Sequence, residues 1–190
     1  MIKKRFFSSL ERIPIVASVK DEETLAVALQ SECEIIFTLY GDVCSIAAIV
    51  ETGKKAGKTV IVHFDMIDGL SSREIAVKFL KENTRADGII STRAGIIKAA
   101  RDLNMIAIQR CFLIDSIAME NFKKHVTGNY ADAVEVLPAV MPKIIRRITS
   151  FCDIPLIIGG LILDKEDVVL GLESGAVAVS STNPDIWTML

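Results

Sequence analysis

"PLIIGGLILDKEDVVLGLESGAVAVSST", residues 155–182, decides how the chain is read. It opens on an apolar run of strand length, "PLIIGGLI", passes through "DKEDVVLGLESG", which carries helical spacing behind an Asp, and returns to a β-rich run, "AVAVSST". A strand, a helix and a second strand joined in this way form a parallel βαβ unit. Gly159 and Gly160 sit side by side where the first strand ends. Having no side chains to fill a core, they mark a sharp backbone turn or a close approach by another group.

The same alternation runs through the rest of the chain. "IPIVASVK" is followed by "DEETLAVALQSEC", "EIIFTLYG" by "DVCSIAAIVETGKKAG", and "KTVIVHFDMIDGL" by "SREIAVKFLKENT". Further on, "ADGIISTR" precedes "AGIIKAARDLN", "MIAIQRCFL" precedes "DSIAMENFKKHV", "ADAVEVLPA" precedes "PKIIRRITSFC", and "AVAVSST" runs into "NPDIWTML". Strands start roughly every 20–27 residues, the interval of βα units. Helix starts are expected at Asp21, Asp42, Asp115 and Asp164, whose side chains can cap the first turn. Eight such units predict an α/β protein, a small (β/α)8 TIM-barrel-like closed parallel barrel. Residues 13–20 would be its first strand and residues 176–180 its eighth. An open doubly wound sheet has the same local pattern and stands as the alternative.

Composition sets the limits. A chain of 190 residues with 51% hydrophobic content can bury one sizeable core, so a single barrel domain over residues 1–190 is expected. A net charge of −2, spread along the chain, excludes a broad basic nucleic-acid surface and an acidic tail. Cys33, Cys44, Cys111 and Cys152 lie far apart without CxxC or Cys/His spacing, and read as reduced, mostly buried thiols. "MIKKRFFSSL" is basic but lacks an apolar stretch long enough for a signal peptide, and no later run approaches membrane-spanning length. A cytoplasmic protein with no membrane partner is expected.

Strand alternation sorts the candidate site. In "TVIVHFDM", Val60, Val62, Phe64 and Met66 share an apolar face toward the helices, leaving Ile61, His63 and Asp65 pointing inward. "ADAVEVLPA" places Glu135 inward between Val134 and Val136, and "IVASVK" groups Ser18 with Lys20. Arg110 ends the fifth strand with its direction undecided, and Arg93 follows the fourth as either a loop cation or a ligand contact. These polar residues fall late in their strands, where an α/β barrel gathers its functional groups. Lys20, His63, Asp65, Arg110 and Glu135 are therefore the candidate ligand-binding residues; the competing reading is a self-satisfied polar plug. Gly159 and Gly160 end strand seven, and Ser180 and Ser181 end strand eight. Those two loops commonly hold a phosphate in such barrels.

The segments "VIVHFDMIDGL", "DGIISTR", "IQRCFLIDS", "VEVLPAVMPKII", "IIGGLI" and "AVSST", in this order and spacing, resemble the glycerol uptake operon antiterminator regulatory proteins. The resemblance implies a cytoplasmic small barrel that responds to glycerol 3-phosphate, binds leader mRNA of glycerol-utilisation genes and prevents early transcription termination. Arg93 stands where the family pattern leads one to expect Lys, a change that keeps charge but alters hydrogen-bond geometry. A three-carbon phosphate would place its phosphate at Gly159, Gly160, Ser180 and Ser181 and its hydroxyls among His63, Asp65, Arg110 and Glu135.

Two classes of function follow. One is a regulatory module that couples ligand occupancy to RNA binding. The other is a barrel enzyme of isomerase, aldolase or synthase type acting on a small phosphorylated metabolite, with Asp65 or Glu135 as base and His63 as acid. No motif demands catalysis, and no metal or cofactor is expected beyond glycerol 3-phosphate as effector. His63, Asp65 and Glu135 are metal-ligand types, but without a diagnostic spacing. For RNA, the sequence offers short basic clusters and no recognisable aromatic–basic platform. Lys143, Arg146 and Arg147 lie on one helical side at i, i+3 and i+4 and are the candidate contact; Lys3, Lys4, Arg5, Lys123 and Lys124 are further clusters. A homo-oligomer would double such a patch, and the sequence leaves the oligomeric state open.

Overall fold

The computed structural model describes residues 2–128 and 130–189. Its eight strands are β1 (Ile15–Val19), β2 (Ile35–Thr38), β3 (Thr59–His63), β4 (Gly88–Ser91), β5 (Ile106–Phe112), β6 (Ala133–Leu137), β7 (Leu156–Gly159) and β8 (Ala178–Ser181). All neighbours pair in parallel in sequence order, and β8 returns to β1 through Ile15↔Val179, Val16↔Ser180 and Ala17↔Ser181. That last pairing closes the expected barrel and excludes the open sheet.

The terminal strands differ from expectation for reasons of hydrogen bonding. Ile13 N donates to Ser9 O and Lys20 N to Thr24 Oγ1, so both flank β1 as parts of neighbouring helical turns. Ala176 N donates to Gly171 O, which delays β8.

The barrel helices are α2 (Glu22–Gln30), α3 (Ile46–Lys55), α4 (Ile75–Asn83), α5 (Ala94–Asp102), α6 (Ser116–Thr127), α7 (Pro142–Thr149), α8 (Lys165–Glu173) and α9 (Pro184–Trp187). Asp21 caps α2 in a reciprocal capping box with Thr24, and Asp164 accepts from Asp167 N at the start of α8. Asp115 accepts from Ala118 N. Asp42 differs: it holds a turn by accepting from Cys44 N and Ser45 N, and α3 begins only at Ile46.

Side-chain alternation builds two shells. Val60, Val62 and Ile89 face outward under α3, α4 and α5, while Val134, Val136, Ile158 and Val179 face outward into a second helix-packed cluster. Inward go Val16, Ile35, Phe37, Ile61, Ile90, Ile106, Ile108 and Ile157, which fill the lower barrel.

A further helix, α1 (Ile2–Arg12), lies outside the eight-unit pattern. Its Phe6 and Leu10 are buried with the interior residues, so α1 closes the barrel at the N-terminal ends of the strands. Burying each such side chain contributes about 1.5–3 kcal/mol. Ion pairs from Arg12 to Glu34 (2.6 Å) and from Lys3 to Asp132 (2.8 Å), both carboxylates standing just before a strand, pin the helix in place.

Candidate functional site

Above the apolar layers, the inward positions turn polar toward the C-terminal ends of the strands: Ser18, His63, Arg110, Glu135 and Ser180, all buried. Arg110 shares its face with Ile106 and Ile108 and is the register partner of Glu135, which settles its direction as inward. Its Nε donates to Glu135 Oε2 at 2.5 Å, and Ser180 Oγ donates to Glu135 Oε1 at 2.5 Å. Removing a carboxylate and a guanidinium from water is costly, and these bonds offset part of that cost by satisfying both carboxylate oxygens. Among the described residues, Arg110 bonds through Nε alone, so its two terminal NH2 groups have no protein acceptor.

His63 is 3% exposed, and its Nδ1 has no hydrogen-bond partner. Burial, helped by the positive charge of Arg110 and opposed by Asp65, pushes its pKa down to about 4. The imidazole is therefore neutral near neutral pH and presents one buried polar atom to the mouth.

Asp65 reaches the mouth by another route than strand alternation. β3 stops at His63, and Phe64–Met66 form a 3-10 turn. Asp65 then accepts from Ser91 Oγ at 3.0 Å and Thr92 N at 2.7 Å, and faces Arg93 Nε at 3.6 Å. It ties the end of β3 to the end of β4, and Arg93 belongs to that tie. Met66 is half-exposed for the same reason, instead of lying under the helices. Ser91 and Thr92 carry no sequence signal beyond following β4. Lys20 stands exposed on the rim just past β1, apart from the buried cluster.

The paired glycines have different roles. An ideal Cβ on Gly159 would overlap Ser180 Oγ and approach Glu135 Oε1 at 3.2 Å, so the close approach there is by protein side chains. Gly160 turns the chain in the left-handed region (φ +76°), followed by Leu161 at φ +60°. Ser180 commits its single hydroxyl proton to Glu135. Ser181 points outward, its Oγ accepting from Asn183 N at 3.1 Å.

Lys143, Arg146 and Arg147 are exposed on α7, opposite buried Ile145 and Ile148. Cys44 is exposed, whereas burial pushes the Cys111 thiol up to about 12, far from a nucleophile at neutral pH. Among the described residues, no three His, Cys, Asp or Glu side chains are arranged to hold a metal ion, and no helix is long and apolar enough to cross a membrane.

The family model for the glycerol-3-phosphate responsive antiterminator matches residues 15–187. "Uncharacterized protein YgcP" of Escherichia coli K12 is 43% identical over 180 residues, covering 95% of this chain and 94% of the other. The crystal structure of the glycerol uptake operon antiterminator regulatory protein from Listeria monocytogenes has a TM-score of 0.88 at 33% identity, over 91% of this chain and 94% of that one. A glycerol uptake operon antiterminator-related protein from Thermotoga maritima gives 0.80 at 29% identity, over 92% and 98%. The matched span starts at the first residue of β1 and ends at the last of α9, taking in every strand and every polar residue of the mouth. The chain belongs to the glycerol-3-phosphate responsive antiterminator family.

Proposed function

We propose that this barrel is a cytoplasmic glycerol 3-phosphate sensor whose occupied state binds leader mRNA of glycerol-utilisation genes and prevents early termination. The observation that carries the reading is the buried polar cluster at the mouth: His63 Nδ1 and the Arg110 terminal NH2 groups lack protein partners there, in a chain of a glycerol-3-phosphate responsive family. A buried imidazole nitrogen without a partner is costly unless a ligand completes it, and the Arg110 NH2 groups add free donors beside it.

In this reading the glycerol hydroxyls lie among His63, Asp65, Arg110 and Glu135, with Lys20 at the rim. The phosphate sits over the turns at Gly159–Gly160 and Ser180–Ser181. Glu135 accepts from a hydroxyl, and Arg110, between carboxylate and phosphate, offsets their repulsion. For RNA, the exposed Lys143, Arg146 and Arg147 of α7 provide phosphate contacts.

Linkage makes the test quantitative. A ligand that prefers the RNA-competent state by a typical coupling free energy of about 1–3 kcal/mol raises RNA affinity roughly 5- to 150-fold. Leader RNA titrated with and without saturating glycerol 3-phosphate should show that gain. Equal RNA affinity in both arms, or no thermal stabilisation by glycerol 3-phosphate, rejects the reading.

A further inference from the structure

A cleft of roughly 970 Å³ lies away from the mouth, beside α5, α6 and the segment after α7. Its walls include Phe7, Arg101, Lys123, Phe151 and Asp153. The Lys123 ammonium lies 5.7 Å from the centre of the Phe151 ring, which is 39% exposed. Through Val126, Ala131 and Ile154 the cleft continues into a smaller pocket lined by Lys124 and Tyr130. Lys98 stands 5.9 Å over the half-exposed Tyr130 ring. Asp132, also in the wall, has its charge taken up by Lys3 and by Ala107 N.

We infer that this cleft is the track for single-stranded RNA, an inference that rests on the RNA reading above and gives it a surface. Exposed aromatic rings set beside cations are what single strands use, because bases stack on the rings while phosphates meet the positive charges. The sequence scatters these residues from position 7 to position 151; the barrel brings them together. Aromatic residues are common at protein–protein interfaces but lysine is depleted there, so it is Lys98 and Lys123 set beside the rings, with Lys124 in the smaller pocket, that favour a polyanion over a second copy as occupant. Lys123 also lines the groove between α6 and α7 that contains Arg147. Lys123 and Arg147, with Asp115 and Glu120 beside them, thus connect the cleft to one edge of α7.

Leader RNA binding by the full chain, measured by fluorescence anisotropy across a salt series with saturating glycerol 3-phosphate, tests this. The double variant Arg101→Gln/Lys123→Gln should weaken binding and make the log–log salt slope shallower by about 1.4, two phosphates at about 0.7 each. Tyr130→Leu/Phe151→Leu, which keeps apolar bulk without an aromatic face, should weaken binding about tenfold with the slope unchanged. Both variants should keep the wild-type thermal stabilisation by glycerol 3-phosphate, since the mouth is untouched. Full RNA affinity in both, with loss in Arg146→Ala/Arg147→Ala, overturns the cleft while leaving the RNA reading standing. A change in dimerisation without a change in RNA affinity makes the cleft a self-association surface and also overturns it. If the wild type binds no leader RNA, the cleft and the reading it rests on fall together.

Discussion

The Glu135 carboxylate and the Ser180 hydroxyl meet at 2.5 Å across the end of β7, in the space that a side chain on Gly159 would fill. β6 and β8 are not neighbours in the sheet, so this bond spans the strand between them. Gly159→Ala should push Ser180 off Glu135. Losing a hydrogen bond to a buried charge costs about 1.5–3 kcal/mol, and chemical denaturation should register a loss of that order. An equally stable alanine variant would mean that Ser180 gives way freely and that the contact is incidental.

Glu135→Ala leaves Arg110 buried without its counter-charge, a situation that costs about 3–5 kcal/mol, so a large fall in stability is expected from urea titration. Glu135→Gln keeps the bulk and an acceptor for Arg110, and serves as the test of selectivity. A carboxylate only accepts hydrogen bonds, so it favours a ligand hydroxyl over the carbonyl of dihydroxyacetone phosphate or the carboxylate of glycerate 3-phosphate. Calorimetric titration of the wild type should show glycerol 3-phosphate binding at least about tenfold more tightly than either, and Glu135→Gln should narrow the gap. Equal affinities in the wild type remove Glu135 from ligand selection.

His63 makes stability depend on pH in a defined window. Its folded pKa is depressed to about 4 from an ordinary 6.5, so between those values the unfolded chain holds a proton that the folded chain refuses. Stability from this group is complete above pH 6.5 and falls as pH drops toward 4, by up to about 3 kcal/mol. His63→Gln should flatten that part of the profile of melting temperature against pH. A variant profile parallel to wild type would assign the acid sensitivity elsewhere.

Phe6→Ala removes the largest side chain that α1 places in the barrel floor. Such a truncation of a fully buried phenylalanine costs about 3–5 kcal/mol. Equilibrium unfolding should show this without a change in the number of transitions. A loss under 1 kcal/mol, the scale of a surface change, would mean that the floor collapses around the gap.

The barrel is legible because strand-length apolar runs and Asp-capped helices repeat through the chain; Val60, Ile61 and Val62 are alike in type, and their faces are sorted only by alternation with the polar His63. His63 and Glu135 follow from the same alternation. Asp65 does not, because the strand ends one residue after Val62 and a 3-10 turn, invisible to hydrophobic period, carries the carboxylate to β4. Arg110 is ambiguous because Ala107 is small enough for either face, and only pairing with Glu135 decides it. Helix α1 hides because Phe6 and Leu10 sit among lysines and arginines, and its partner is a barrel that does not exist until the strands close. The aromatic–basic cleft is illegible for a related reason: Phe7, Lys123 and Phe151 become neighbours only through the closed sheet.

With α1 seated under the strands, the barrel is a cup and not a tube. A ligand held at His63, Arg110 and Glu135, as proposed above, would arrive and depart through one doorway, the rim formed by the loops that follow the strands. By microscopic reversibility, whatever narrows that rim slows both directions by the same factor and leaves the equilibrium constant untouched. The lifetime of the occupied state can therefore be tuned through rim residues such as Leu161, 64% exposed, without altering which molecule is recognised below.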